Sequence, residues 1–174
     1  NRREFIKVSA VASLSSLVGG CRPMVRWDRD AYRKTAISQV AILEAKSYDA
    51  SLEDIIRRGI HLFKLDLKGK RIILKPNLVE FDPKGVINTH PAVIEAAIGS
   101  FRSLGAREVV VAEGPGHRRD SEYLLTASGI YDVIKEHRVR YVDLNTDDVR
   151  LTKLRSSFTN LTEMYLPETL FNAD

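Results

Sequence analysis

The sequence predicts an α/β domain with a mostly parallel, Rossmann-like sheet and helices on both faces. Apolar runs such as 71–74 (R-I-I-L) and 108–112 (E-V-V-V-A) alternate along the chain with amphipathic helical stretches. Continuous apolar strands are typical of parallel sheets buried on both sides, and the alternation supplies the crossover helices that such sheets need. The chain has 174 residues, 44% of them hydrophobic, which is enough for one domain with its own core.

The strands and helices are predicted in the order β-α-β-α-β-α-β. The strands cover residues 37–43, 71–74, 108–112 and 139–144. The helices are expected over 51–65, 91–104 and 121–128, with a further helical turn or two at 131–137. Two short segments, 151–154 and 162–166, are expected to pair as a hairpin on the edge of the sheet, and a last helix begins at Pro167.

Local signals support the helix boundaries. Ser51, with Asp54 three residues later, is typical of a helix start, and apolar residues then follow at helical spacing. Pro91 suits the first position of the second helix, because its missing N–H costs nothing there. Gly105 is expected to end that helix, and Gly129 the next one.

The first 21 residues predict an export signal. A basic start, N-R-R-E-F-I-K, precedes a short apolar run at 8–18, which is too short to span a membrane. The paired arginines resemble the twin-arginine motif, and V-G-G-C at 18–21 resembles a lipobox with Cys21 as the lipidated residue. The alternative is an amphipathic helix packed on the domain, with Cys21 a plain thiol. Residues 22–36 are interpreted as a tether, and the domain starts at 37.

These signals bound the location and partners of the protein. It is expected in the periplasm or cell envelope, exported folded by the twin-arginine machinery, and touching the membrane only through a signal peptide or lipid anchor. The net charge of +4 does not indicate a nucleic-acid partner, because three cations and one anion of the first twenty residues supply +2 of it. A single cysteine excludes an intrachain disulfide and a zinc or iron–sulfur site built from cysteine alone.

Polar segments follow three of the predicted strands. Lys75-Pro76-Asn77 follows the second strand, Glu113–Asp120 the third, and Asp143–Asp148 the fourth. Ligands of open parallel sheets bind beyond the carboxyl ends of the strands. These three segments are therefore expected to share one edge of the sheet and to form a ligand site there.

The turn at 113–120 (E-G-P-G-H-R-R-D) predicts an anion site. Gly114 and Gly116 let the backbone approach a ligand, and Arg118 and Arg119 suit bidentate capture of a carboxylate or phosphate. The N-terminus of the following helix adds a favourable dipole. The alternative is an ordinary turn whose arginines form salt bridges with Asp120 and Glu122.

The cofactor and the reaction stay unassigned. The turn is neither the dinucleotide fingerprint G-x-G-x-x-G nor a P-loop, and no zinc-hydrolase or serine-hydrolase pattern is present, so no metal site is predicted. His117 and Glu113 are the best candidates for acid–base work. The remaining predicted ligand-binding residues are Lys75, Asn77, Asp120 and Asn145. Lys75 and Asn77 could equally be a solvated strand end and a loop cap, and His90 could cap a helix.

Several stretches resemble the domain of unknown function 362 family. They are I-I-L-K-P-N-L-V (72–79), I-N-T-H-P-A-V-I-E-A (87–96), G-A-R-E-V-V-V-A-E-G-P-G-H (105–117), R-D-S-E-Y-L-L (119–125), Y-V-D-L-N (141–145) and L-P-E-T-L-F-N-A-D (166–174). The resemblance implies an α/β fold related to the N-terminal half of nickel-dependent lactate racemases. It also implies that the chain stops before the family's C-terminal part, and it transfers no catalytic residue.

Two functions are consistent with these observations, and a third interpretation is a purely structural fragment with a vestigial pocket. The first is an exported protein that binds an anionic small molecule or cofactor at the strand ends, with or without catalysis. The second is a non-catalytic, envelope-anchored protein that binds a ligand or an electron-transfer partner.

Overall fold

The computed structural model describes residues 38–49, 51–116, 118–154 and 159–174. The predicted signal peptide with Cys21, the tether over 22–36 and the candidate His117 lie outside the described residues. In the described part of the chain, no helix is long and apolar enough to cross a membrane.

The described chain contains helices and strands in an alternating order. The helices are α1 (Ser51–Leu62), α2 (Pro91–Ser103), α3 (Ser121–Ala127) and α4 (Ile130–Glu136), with a 3₁₀ helix at Glu168–Asn172. The strands are β1 (Arg71–Leu74), β2 (Glu108–Glu113), β3 (Arg140–Asp143), β4 (Val149–Lys153) and β5 (Glu163–Pro167).

The first three strands form one parallel sheet with β2 in the centre. Leu74 of β1 pairs with Val111 of β2, and Glu113 of β2 pairs with Asp143 of β3. The predicted α/β class with a parallel sheet is therefore confirmed. The Rossmann-like arrangement and the helices on both faces stay predictions.

The core lies where the central strand meets the helices. Val109 and Val111 of β2 are buried together with residues of α2, α3 and α4. The buried members of this cluster are Leu78, Ile94, Ile98, Val109, Val111, Leu124, Leu125, Ile130, Val133 and Val139. Burial of this aliphatic surface stabilises the packing of the helices on the sheet.

Helix α1 packs on α2 through a polar contact. The Ser100 hydroxyl, fully buried in α2, donates to the Glu53 carbonyl at 2.9 Å. Helix α1 begins at Ser51, as predicted, and ends at Leu62 instead of at residue 65. The Ser51 N–H donates to Asp49 Oδ1 at 2.8 Å, so Asp49 satisfies one of the free donors at the helix start. Helix α2 starts at Pro91 and Gly105 follows it with a φ of 89°, as predicted.

The strand predicted over 37–43 is absent from the described residues 38–46, which form no regular secondary structure. Ile42, in the middle of this apolar run, is 94% exposed. The prediction was wrong because an apolar run forms a strand only where it pairs with another strand, and β1 is the edge strand of the described sheet. At this edge the Arg71 N–H donates to Asp174 Oδ2 at 2.9 Å, and the Asp174 N–H donates to the Arg71 carbonyl at 3.1 Å.

The predicted hairpin exists, although it does not extend the main sheet. Strands β4 and β5 pair antiparallel, with Leu151 opposite Tyr165, as a separate two-stranded sheet. The last predicted helix is a short 3₁₀ helix. Its start is tied to the segment after β3, because the Thr169 N–H donates to Asp147 Oδ2 at 2.8 Å.

Candidate functional site

The structure brings the ends of β1, β2 and β3 to one edge of the sheet. Because Leu74 pairs with Val111 and Glu113 with Asp143, the residues that follow each strand emerge side by side. The three polar segments therefore lie at one edge of the sheet, as predicted. We call this place the strand-end site and define it by Lys75, Glu113 and Asp143.

A lysine–carboxylate pair joins two of the strands. Lys75 Nζ donates to Glu113 Oε2 at 2.7 Å, and the Gly114 N–H donates to Glu113 Oε1 at 2.8 Å. The Glu113 side chain is only 8% exposed, whereas that of Lys75 is 59% exposed. The carboxylate is thus neutralised and bonded on both oxygens, while the ammonium has two further N–H donors that can face solvent or a ligand.

The Asp143 carboxylate accepts a second group of hydrogen bonds. Its Oδ1 accepts the Asn145 N–H at 2.8 Å, and its Oδ2 accepts the Ser121 hydroxyl. The Tyr141 hydroxyl donates to the Glu113 carbonyl at 3.2 Å, next to this group.

Tyr141 stays protonated in this environment. Burial, together with the negative charges of Asp143 and then Glu113, raises the pKa of Tyr141 to about 12, against an opposing hydrogen bond with Ser121. The phenol is therefore a hydrogen-bond donor at neutral pH. Ser121 and Tyr141 were not among the site residues predicted from the sequence. The signal that could have found Tyr141 is strand periodicity, since it lies two residues before Asp143.

Asn145 holds the glycine turn in place. Its Nδ2 donates to the Pro115 carbonyl at 2.7 Å. A Cβ at Gly114 would lie 2.9 Å from Asn145 Oδ1, so a side chain there would displace the amide. Gly114 is thus required for the approach of Asn145, and Asn145, predicted to bind a ligand, positions the turn in this structure.

The two arginines of the turn differ in their contacts. Arg119 Nη2 lies 2.8 Å from Glu80 Oε2, in the long loop after β1, and so does not pair with Asp120 or Glu122 as the alternative prediction held. For Arg118, no carboxylate of the described residues lies within ion-pair distance. Arg118 is exposed and has a φ of 63°.

Asp120 caps helix α3 with its own side chain. Its Oδ1 accepts the Tyr123 N–H at 3.0 Å, which satisfies one of the donors at the helix N-terminus. The helix has only 7 residues. One donor of this helix N-terminus is thus already bonded within the protein. The predicted contribution of the N-terminus to anion binding stays a prediction.

The remaining candidates have local structural roles. The Thr89 N–H donates to the Asn77 carbonyl, and the Asn77 N–H donates to the Thr89 hydroxyl oxygen, both at 2.9 Å. These two bonds close the loop between β1 and α2. His90 caps α2, since its Nδ1 accepts the Ala92 N–H at 3.2 Å, and its ring stacks on Tyr48. Among the described residues, no three histidine, cysteine or acidic side chains are grouped closely enough to hold a metal.

The chain is similar to a family of proteins of unknown function. The model of the family "Domain of unknown function (DUF362)" matches residues 72–174, which include all of the strand-end site and the glycine turn. No curated protein and no solved structure matches the chain.

Proposed function

We propose that this chain, which belongs to the domain of unknown function (DUF362) family, binds a small anionic molecule at the strand-end site. The observation that carries the proposal is the Lys75–Glu113 pair at the carboxyl edge of a parallel sheet. Such edges are where open α/β sheets bind ligands. A buried carboxylate is costly to maintain, so its presence at this edge favours a functional explanation.

The charges around the site define the ligand further. Lys75 and the Arg118–Arg119 pair supply positive charge, which suits a carboxylate or a phosphate group. Glu113 and Asp143 add hydrogen-bond acceptors on the neighbouring strands. A ligand that carries an anionic group and at least one hydroxyl would satisfy both kinds of partner.

Citrate, a hydroxylated tricarboxylate, is a suitable probe. Calorimetric titration of the full chain with citrate is expected to show binding that Lys75→Met weakens at least about tenfold, or about 1.4 kcal/mol. The matched control is Lys70→Met, because Lys70 precedes the same strand at its opposite end and is also ion-paired, 3.3 Å from Asp174. If Lys75→Met does not fold, Lys75→Met with Glu113→Gln replaces it, since this pair of changes leaves no buried charge.

Two results would contradict the proposal. One is a wild-type protein that binds neither citrate nor inorganic phosphate. The other is an equal loss of affinity in Lys75→Met and Lys70→Met, which would indicate a non-specific electrostatic effect.

We also propose that the protein is exported to the periplasm or cell envelope through a twin-arginine signal at residues 1–21. The support is the N-R-R-E-F-I-K start, the short apolar run and the small residues before Cys21. Changing Arg2 and Arg3 to lysine in the native precursor is expected to hold the protein in the cytoplasm, as measured by cell fractionation. Normal processing of that variant would rule out this route.

A further inference from the structure

Arg118 has a left-handed backbone conformation in a turn, at a position where glycine or asparagine is the usual residue. Three non-glycine residues of the described chain have a positive φ: Lys64 at 52°, Arg118 at 63° and Arg138 at 49°. Lys64 and Arg138 each lie two residues beyond the end of a helix, after Leu62 and Glu136. Helices commonly end in this way. Arg118 follows no helix, because it lies in the turn between β2 and α3.

The turn around Arg118 is held from both sides. The Arg119 N–H donates to the Gly116 carbonyl at 3.0 Å, which closes the turn across Arg118. Asn145 holds Pro115, and Glu80 holds the Arg119 side chain. A left-handed conformation at a residue with a Cβ costs energy and persists only where its surroundings impose it. Glycine would adopt this conformation without strain, yet arginine occupies the position.

Of the three cations at the site, Arg118 is the one whose side chain has no carboxylate partner among the described residues. Arg119 is engaged by Glu80, and Lys75 by Glu113. Arg118 is exposed and has no carboxylate partner among the described residues. A guanidinium that is held on a fixed backbone, with its donors uncommitted, is well suited to bidentate capture of a carboxylate or phosphate.

We infer that Arg118, and not Arg119, contacts the anionic group of the ligand, and that Arg119 instead fixes the turn through Glu80. This inference rests on the proposed function and assigns the two neighbouring arginines different roles. A stabilising role for Arg118 is not supported, because its conformation is unfavourable and its side chain has no partner in the described chain.

The test compares Arg118→Asn with Arg138→Asn. Asparagine tolerates the left-handed region well, so both variants remove an arginine of positive φ without new strain. Calorimetric titration of the full chain with citrate, and separately with inorganic phosphate, is expected to show affinity at least about tenfold weaker for Arg118→Asn, since a charge-assisted pair is lost. Arg138→Asn is expected to bind like the wild type. The melting temperature of Arg118→Asn is expected to equal or exceed that of the wild type.

Additional variants separate the possible outcomes. Arg118→Gly provides the same test if Arg118→Asn does not fold, and Arg118→Lys should recover part of the affinity. Arg119→Asn is expected to weaken binding less than Arg118→Asn does. Wild-type affinity in Arg118→Asn, or a larger loss in Arg119→Asn, overturns the inference while the proposed function stands. Absence of binding of both probes to the wild type overturns the proposed function and the inference with it.

Discussion

Replacement of Lys75 by methionine is expected to lower the free energy of unfolding by about 2 kcal/mol. The change leaves the Glu113 carboxylate, whose side chain is 8% exposed, without its counter-charge. The loss should be smaller than the value for a fully buried pair, because Lys75 is 59% exposed and water can reach this side of the carboxylate. Chemical denaturation of the variant and the wild type measures the difference.

A double-mutant cycle identifies the cause. Glu113→Gln removes the charge while its amide oxygen can still accept the Gly114 N–H. Adding Glu113→Gln to Lys75→Met should therefore restore part of the lost stability, with a coupling energy of about 1 kcal/mol. Strict additivity of the two changes would mean that the pair does not contribute to folding, and burial of the Glu113 carboxylate would then no longer favour a functional site.

Truncation of Ile98 to alanine is expected to cost about 3 kcal/mol, because the side chain is fully buried in the core between α2 and β2. Ile42→Ala is the matched control. Ile42 is 94% exposed, so its truncation should change stability by less than about 0.5 kcal/mol. Thermal or chemical denaturation measures both effects.

The same comparison tests the absent strand. If Ile42→Ala destabilised the protein as much as Ile98→Ala, residues 37–43 would have to pack in the core. The sequence-based prediction of a first strand would then be restored, and the exposed position of Ile42 would be wrong.

The edge at which the polar segments meet was predictable from the sequence. Apolar strands separated by helices force a parallel sheet, and a parallel sheet brings all carboxyl ends to one side. Lys75, Glu113 and Asp143 follow directly from that rule, whichever order the strands take. The helix starts at Pro91 and Ser121 were also predictable, because capping chemistry depends on residues close in sequence.

The contacts within the site were not predictable in the same way. Arg119 pairs with Glu80, a residue 39 positions away, and not with its neighbours Asp120 and Glu122. Asn145 is a residue type that often binds ligands, yet its side-chain amide donates a hydrogen bond to the Pro115 carbonyl. Such pairings depend on the path of the loops, and sequence spacing does not determine that path. The prediction of a first strand over 37–43 failed for a similar reason, since a strand forms only where it can pair with the edge of another strand.

The most direct test of the strand-end site is to locate bound citrate by the amide resonances of the glycines, using isotopically labelled full chain. Gly114 and Gly116 follow β2 at the carboxyl edge. Gly69 and Gly105 precede β1 and β2 at the opposite edge, where the Gly69 N–H donates to the Gly105 carbonyl at 2.8 Å. Citrate is expected to shift the Gly114 and Gly116 amides and to leave Gly69 and Gly105 unchanged. Shifts confined to Gly69 and Gly105, or spread equally over all four, would contradict a ligand site at the strand ends.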